Sequence, residues 1–266
     1  MARAGLIPFT YFGGKASWVD QLYTYFPEHF HFVDVFCGSM AVTLNKPPSK
    51  MDTANDLDAS VFTFFKVLRE HPKQLMDQLF LTAVSRVEYD EAWPPFEEGL
   101  EDLEVARRFF VRCRMSFNAS GMQKSTGFNA CVTASERGKS KNVVKYFSSI
   151  DRLPEVVEKL RSIQVENLDY EKIIAKYDRP DTFFYCDPPY ELRTRNYKKF
   201  YTNEFTDGDH RGLKEALRDI KGKAMVSHTD SKMYRQLYRD WNMISLVPKG
   251  HSLKKTKQKE CVWVNY

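Results

Sequence analysis

Two kinds of apolar pattern alternate along the chain, and together they predict a layered α/β protein. Residues 32–36 (FVDVF) form a short β-prone run that ends at Cys37-Gly38-Ser39 and is followed by the helix-compatible MAVTLNK. A second extended piece, Met51–Ala54, ends in Asn55-Asp56-Leu57-Asp58, after which VFTFFKVLRE carries apolar residues at helical spacing up to Pro72. Strand, glycine turn, helix and a strand tipped by an acid make the first βαβ unit of a doubly wound sheet. Later the alternation resumes: VVEKLRSI reads as a helix, IQVENLD as a strand, TFFYCD as a buried strand, HRGLKEALRDI as a helix, KAMVSH as a strand and ECVWVNY as a closing strand.

Between these blocks the pattern changes. Two helical stretches, KQLMDQLFLTAV and LEVARRFFVRCRM, flank a loop at Trp93-Pro94-Pro95, and SFNASGMQKSTGFNA has the glycines and aromatics of a hairpin or structured loop. The expected organisation is an α/β catalytic domain formed by 1–71 and 151–266, with a mostly helical insert at 72–150.

Composition narrows the class. A chain of 266 residues with 42% apolar and 28% charged residues is globular rather than disordered. No apolar run approaches the roughly 18 residues of a membrane span, and MARAGLIPFTYFGGK lacks the apolar block of a signal peptide. Cys37, Cys113, Cys131, Cys186 and Cys261 are odd in number and never form CxxC, which favours a reducing cytoplasm and argues against a disulfide scaffold or zinc ribbon. The net charge of +5 is unevenly placed. Residues 105–147 hold nine cations (Arg107, Arg108, Arg112, Arg114, Lys124, Arg137, Lys139, Lys141 and Lys145) against one acid, Glu136. That local excess of eight leaves a net −3 elsewhere. A second basic cluster, Lys249 to Lys259, precedes the closing strand. Such a concentration favours phosphate contacts.

Chemistry concentrates at a few positions. Asp187-Pro188-Pro189-Tyr190 directly follows the TFFYC strand, where ligands of open α/β sheets bind. The two prolines stiffen the turn and donate no hydrogen bond. The Asp187 carboxylate and Pro188 carbonyl are therefore acceptors beside a flat tyrosine, a set suited to a planar substrate with an exocyclic amino group. Gly38 after the first strand and Asp56 at the tip of the second suit a ribose-bearing cofactor. The absence of G-x-G-x-x-G around Cys37-Gly38-Ser39 disfavours NAD. Phe12-Gly13-Gly14-Lys15 fails the phosphate-loop pattern, which leaves a tight turn with a solvated lysine. The histidines at 29, 31, 71, 210, 228 and 251 have no metal spacing, so surface or capping roles and no metal site are expected.

FGGK (12–15), FVDVFCGS (32–39), NDLD (55–58), Ser125–Asn129, DPPY (187–190) and ECVWVNY together resemble the Dam-like family of adenine-N6 DNA methyltransferases, in particular its phage and prophage branch. The resemblance implies a Rossmann-like, S-adenosylmethionine-dependent sheet with a target-recognition insert, acting on double-stranded DNA without a metal. It assigns Tyr11 and Lys15 to the methionine end of the cofactor, and Asp34, Phe36 and Gly38 to the same pocket. Asp56 is assigned to the ribose hydroxyls, Leu57 to the adenine face and Asp169 to the adenine amino group, and Asp187 to Tyr190 hold the target base. The family's first loop usually carries a second glycine where this chain has Met40.

On this reading N6 of a flipped-out adenine donates hydrogen bonds from both its protons to Asp187 and the Pro188 carbonyl while Tyr190 replaces the lost stacking. Arg112, Arg114, Lys139 and Lys141 are expected on phosphates, and replacing Arg114 should flatten the salt dependence of binding by about one unit. Asn118, Gln123, Lys124 and Asn129 are placed to reach base edges. A monomer or weak dimer with no membrane partner is expected. The competing readings keep the cofactor but act on RNA, cytosine N4 or protein glutamine, or retain DNA binding without catalysis.

Overall fold

Strand runs rich in Phe, Val and Tyr pair in a seven-stranded sheet of order β3-β2-β1-β4-β5-β7-β6, formed by β1 (His31–Asp34), β2 (Met51–Asn55), β3 (Ile163–Glu166), β4 (Thr182–Cys186), β5 (Lys223–Thr229), β6 (Asn242–Ser245) and β7 (Glu260–Val264). The computed structural model describes residues 5–117, 127–131, 138, 140–194, 203–247 and 259–266. β1 runs parallel to β2 and β4, and β4 parallel to β5; β7 lies antiparallel between β5 and β6. The mixed α/β class read from the sequence is the observed one.

The chain divides into two compact units: Met1–Gly14 with Asp58–Val165, and Lys15–Leu57 with Glu166–Tyr266. These boundaries differ from the expected 71/72 and 150/151. The difference has a packing cause. Phe64 and Phe65 of α3 (Ala59–Glu70) join Phe109 of α6 (Asp102–Met115) around Phe9, whose ring meets Phe64 and Phe109 edge-on at 5.0 and 4.9 Å. Edge-to-face aromatic pairs add about 1 kcal/mol each beyond area burial. The N-terminal segment and α3 therefore belong to the helical unit, along with α4 (Pro72–Leu81), α5 (Arg86–Glu91), α7 (Lys141–Ile150) and α8 (Leu153–Leu160). Pro72 does end α3, but it also starts α4 at a position where its missing N–H costs nothing.

In the other unit, successive residues of each central strand enter opposite faces of the sheet. Val33, Val35, Phe184, Cys186, Val226 and Trp263 pack with Ile173 and Ile174 of α9 (Tyr170–Tyr177), Leu213 of α10 (Asp207–Ala216) and Tyr234 of α11 (Lys232–Leu237). Phe32, Phe183, Tyr185, Met225 and Val262 pack with Val19 and Leu22 of α1 (Val19–Tyr23) and Val42 of α2 (Ala41–Asn45). Strands covered on both faces are continuous apolar runs, which is why their sequences do not alternate with polar residues. No helix of the described residues is long and apolar enough to cross a membrane.

Candidate active site

β1 ends at Asp34 and β4 at Cys186, side by side in register, with Asp34 opposite Tyr185 and the Val35 amide donating to the Tyr185 carbonyl at 2.9 Å. β2 lies on one side of β1 and β4 on the other, so the strand order reverses between them and opens a crevice beyond their carboxyl ends. Two loops enter it: residues 35–39 after β1 and Asp187–Tyr190 after β4.

The loop after β1 is a tight turn. Gly38 has φ 47°, and the Met40 amide donates to the Cys37 carbonyl at 2.7 Å. Met40 itself is left-handed at φ 54°, the sole non-glycine with positive φ among the described residues. The backbone thus adopts the conformation that the family's second glycine would supply. Such a conformation costs a non-glycine residue about 1 kcal/mol or more, and the fully buried methionine side chain offsets it.

Asp56, at the tip of β2, accepts the Gly38 amide at 2.8 Å, and its carbonyl accepts from the Asn167 side chain at 2.7 Å. Asp58, two residues on, caps the following helix: it accepts the Ser60 amide at 2.8 Å and starts α3. Asn55 was not singled out as a site residue, yet it laces three chain segments together. Its amide donates to the carbonyls of Val35 and Leu168 at 2.9 and 3.0 Å, and its oxygen accepts the Leu168 amide at 2.8 Å. The NDLD motif flags it, although its lacing role follows only from the strand pairing. Leu57 is 45% exposed, an apolar surface at the strand tip, and Phe36 packs edge-on against Phe205 at 5.5 Å. Asp169 caps α9 by accepting the Glu171 amide at 2.9 Å.

Asp34 is buried. One carboxylate oxygen accepts the Thr43 hydroxyl at 2.7 Å, and the other has no hydrogen-bond partner among the described residues. Burial, reinforced by Asp187 and Asp56 and opposed by Thr43, pushes its carboxyl up to about 7. A buried acceptor held in this way is satisfied by a cationic donor. The amino group of S-adenosylmethionine is such a donor, so the residues present fit this cofactor.

Lys15 corrects the expectation of a solvated side chain. The turn is there, with the Gly14 amide on the Tyr11 carbonyl at 3.1 Å and Gly13 at φ 75°, but Lys15 is only 5% exposed. Its ammonium contacts both oxygens of Asp187 at 2.7 and 2.8 Å, lies 3.5 Å from Glu260, and sits 4.6 Å above the Tyr190 ring. Burial favours the neutral amine, but Asp187 and Glu260 outweigh it and hold the ammonium above its ordinary value. Burial, with a further push from Glu260 and against the pull of Lys15, raises Asp187 to about 6. The Tyr190 hydroxyl donates to Glu260 and lies 3.3 Å from the Ser227 hydroxyl; burial and Glu260 push that phenol well above its usual range.

Three histidines are also more than surface groups: His31, His210 and His228 are buried. His228 stacks on Tyr234 at 3.6 Å and lies 4.4 Å from the Tyr190 ring. One ring nitrogen accepts the Glu191 amide at 2.9 Å and the other faces the Thr229 carbonyl at 2.8 Å, a pairing that requires the neutral Nδ1–H tautomer. It props the aromatic end of the tetrad. Ser227, His228 and Glu260 were not nominated from sequence.

Tyr11 belongs to the helical unit, where its ring lies 6.1 Å from Phe9. In the basic segment α6 is the helix expected over LEVARRFFVRCRM, and α7 is a further helix. Two of its arginines, Arg112 and Arg114, are turned inward. Arg114 donates to the Ile7 and Pro8 carbonyls at 3.1 and 2.8 Å and to the Thr10 hydroxyl at 3.1 Å, and burial lowers its guanidinium to about 10. Arg112 is 7% exposed, 5.1 Å from the Phe109 ring and 5.8 Å from that of Trp93. Neither arginine is presented as a phosphate contact, which corrects that expectation. Lys141, the first residue of α7, is exposed. Asn129 is half-buried; its amide donates to the Met115 carbonyl at 2.8 Å beside an antiparallel bridge from Ser116 to Phe128. Asn118, Gln123, Lys124 and Lys139 lie outside the described residues, as do Lys249, Lys254, Lys255 and Lys257. Among the described residues no group of His, Cys, Asp and Glu is arranged to hold a metal.

Comparison with known proteins shows the family. The pattern of the D12 class N6 adenine-specific DNA methyltransferase family matches residues 11–252. A DNA adenine methylase of Vibrio cholerae is 26% identical over 242 residues, covering 85% of this chain and 82% of the relative. A DNA N-6-adenine-methyltransferase of Escherichia phage P1 is 25% identical over 242 residues, covering 87% of this chain and 31% of that protein. A DNA adenine methylase of Haemophilus influenzae is 24% identical over 239 residues, covering 85% and 80%. With its tetrad at the switch point and a family match across most of its length, the chain belongs to the D12 class of N6 adenine-specific DNA methyltransferases.

Proposed function

We propose that the crevice beyond β1 and β4 binds S-adenosylmethionine and a flipped-out adenine, and that Asp187 and the Pro188 carbonyl accept hydrogen bonds from the two N6 protons during methyl transfer. The observation that carries this reading is the placement of Asp187 at the topological switch point, buried and held by Lys15. When bound, the sulfonium cofactor supplies an activated methyl group. The unmatched oxygen of Asp34 takes its amino group, Asp56 its ribose hydroxyls and Leu57 its adenine face, with Asp169 near the adenine amino group. Gly38 and Phe36 line the same cleft.

The amine of adenine is a weak nucleophile because its lone pair is delocalised into the ring. Acceptors on both N6 protons favour the pyramidal state in which charge develops on nitrogen. Positioning supplies the entropic part of the acceleration. Tyr190 stacks on the extruded base, and its ring is held from behind by His228 and anchored through its hydroxyl to Glu260. The substrate is double-stranded DNA, with Lys141 and Lys145 of α7 exposed to its phosphates.

The test is to incubate the protein with plasmid DNA and isotopically labelled S-adenosylmethionine, then resolve the nucleosides by mass spectrometry. Labelled N6-methyladenine is expected. Label in N4-methylcytosine, or in RNA alone, would overturn the assignment of the substrate.

A further inference from the structure

An ammonium placed against the acceptor carboxylate poses an electrostatic problem for the reaction. Positive charge develops on N6 as the methyl group arrives, and a lysine contacting both Asp187 oxygens cancels the negative charge that would stabilise it. Lys15 cannot be a solvent-screened bystander, since it is 5% exposed. At short range inside a protein, unit charges interact by several kcal/mol, so the sign of the local cluster matters. A second carboxylate stands on the other side of the same ammonium. Glu260 is 3.5 Å from Lys15, accepts the Tyr190 hydroxyl, and lies 3.3 Å from the Ser227 hydroxyl.

We propose that Glu260, the first residue of β7, is a positioning residue that neutralises Lys15, so that the Asp187–Lys15–Glu260 cluster presents a net single negative charge to the reacting amine and holds the stacking ring of Tyr190 in place. One cation between two carboxylates gives a net −1, whereas the Lys15–Asp187 pair alone is neutral. Asp187 can then orient against Lys15 without losing its attraction for a developing cation. Tyr190 is tied to the same carboxylate, so the charge and the stacking surface are fixed by one group.

The groups facing Asp187 come from every neighbouring element. Lys15 precedes α1, Asp34 ends β1, Tyr185 and Tyr190 flank it on its own segment, and Glu260 opens β7, while Ser227 and His228 of β5 meet Asp187's neighbour Tyr190. Among these Lys15 holds Asp187 ionised, while Glu260 opposes ionisation. The two therefore act on the acid limb of the pH–rate profile in opposite directions.

This inference rests on the assignment of Asp187 as the acceptor for N6. The experiment is the pH dependence of kcat/KM for methyl transfer to plasmid DNA, which reports the free enzyme, in wild type, Glu260→Gln and Lys15→Gln. For Glu260→Gln, kcat is expected to fall roughly tenfold, and the acid limb to move to lower pH. For Lys15→Gln the acid limb is expected to move to higher pH. A limb that stays put in both variants, or moves the same way in both, overturns the proposal, whatever the loss of rate. A merely structural role for Glu260 would lower activity without moving the limb. If one variant fails to fold, judged by circular dichroism, the direction of the other decides. An acid limb in wild type that persists unchanged in Asp187→Asn indicts the acceptor assignment instead, so the two failures are distinguishable.

Discussion

In the helical unit, cations are taken up by internal contacts: Arg107 bridges Glu104 and Glu88, Arg108 pairs with Glu104, and Arg114 clamps the carbonyls of Ile7 and Pro8. In the sheet unit a set of acids instead gathers at strand tips, Asp34, Asp56 and Asp187, with Glu260 nearby and the buried Lys15 among them. A raw count of residues 105–147 suggests a strongly cationic face, but several of those charges are already neutralised or buried. The sheet unit shows the converse. Its net charge is not negative, yet these acids converge where the proposed sulfonium cofactor and amino-bearing base would be held. Net charge therefore identifies a partner class only after internal pairs have been subtracted.

The contrast can be broken most decisively at Asp187. Asp187→Ala should lower kcat by about a hundredfold or more, since it removes an acceptor used in the transition state. Labelled methyl transfer at near wild-type rate by a folded variant would falsify the assignment. Arg114→Ala should act on stability instead. It leaves two carbonyls and a hydroxyl without their donor, at a cost of about 2–3 kcal/mol in urea unfolding. The salt dependence of DNA binding should be unchanged; a flatter slope would return Arg114 to the phosphate contacts.

Asp34 sharpens the comparison through pH. Its folded-state carboxyl is raised to about 7 from an ordinary 3.8. The stability it contributes is therefore fully present below the unfolded value and lost as pH rises through the folded one. Asp34→Asn keeps an acceptor for Thr43 but does not ionise, so its Tm should fall less than that of wild type between pH 5 and pH 8, two pH values chosen to bracket the folded carboxyl on the linkage argument. Equal falls in the two proteins would exclude this origin. The smallest effect is expected at Lys141. Lys141→Gln should leave stability and turnover alone and reduce the slope of log K against log salt by about 0.9. A slope equal to wild type would remove Lys141 from the DNA contacts.

The central strands were readable because burial on both faces forces continuous apolar sequence, as in TFFYC of β4 and FVDVF around β1. β6 was not, since its four residues, NMIS, are mostly exposed at the sheet edge and carry no apolar signature. α1, α5, α9 and α11 are short, and their apolar residues meet the core only through tertiary packing. The DPPY and NDLD motifs pointed to Asp187 and Asp56 because their chemistry is local to the motif. Lys15 was misread for the opposite reason: nothing in FGGK shows that a carboxylate meets it from 172 residues away. Arg112 and Arg114 sit among Phe109, Phe110 and Cys113 on a helix whose inner face is decided by its neighbours, which a charge count does not register.

The cluster around Lys15 also orders events in time. Asp187 lies 172 residues beyond Lys15, and Tyr190 reaches Glu260 across a further 70. Contacts of such separation close late, after the loop entropy of the intervening chain has been overcome. During synthesis the first strand, its glycine turn and the tetrad emerge and can collapse well before β7 exists. On the proposed reading, a nascent chain holds the neutral Lys15–Asp187 pair before Glu260 brings the net negative charge to the reacting carboxylate. The contact proposed to set that charge is thus among those with the longest loops to close.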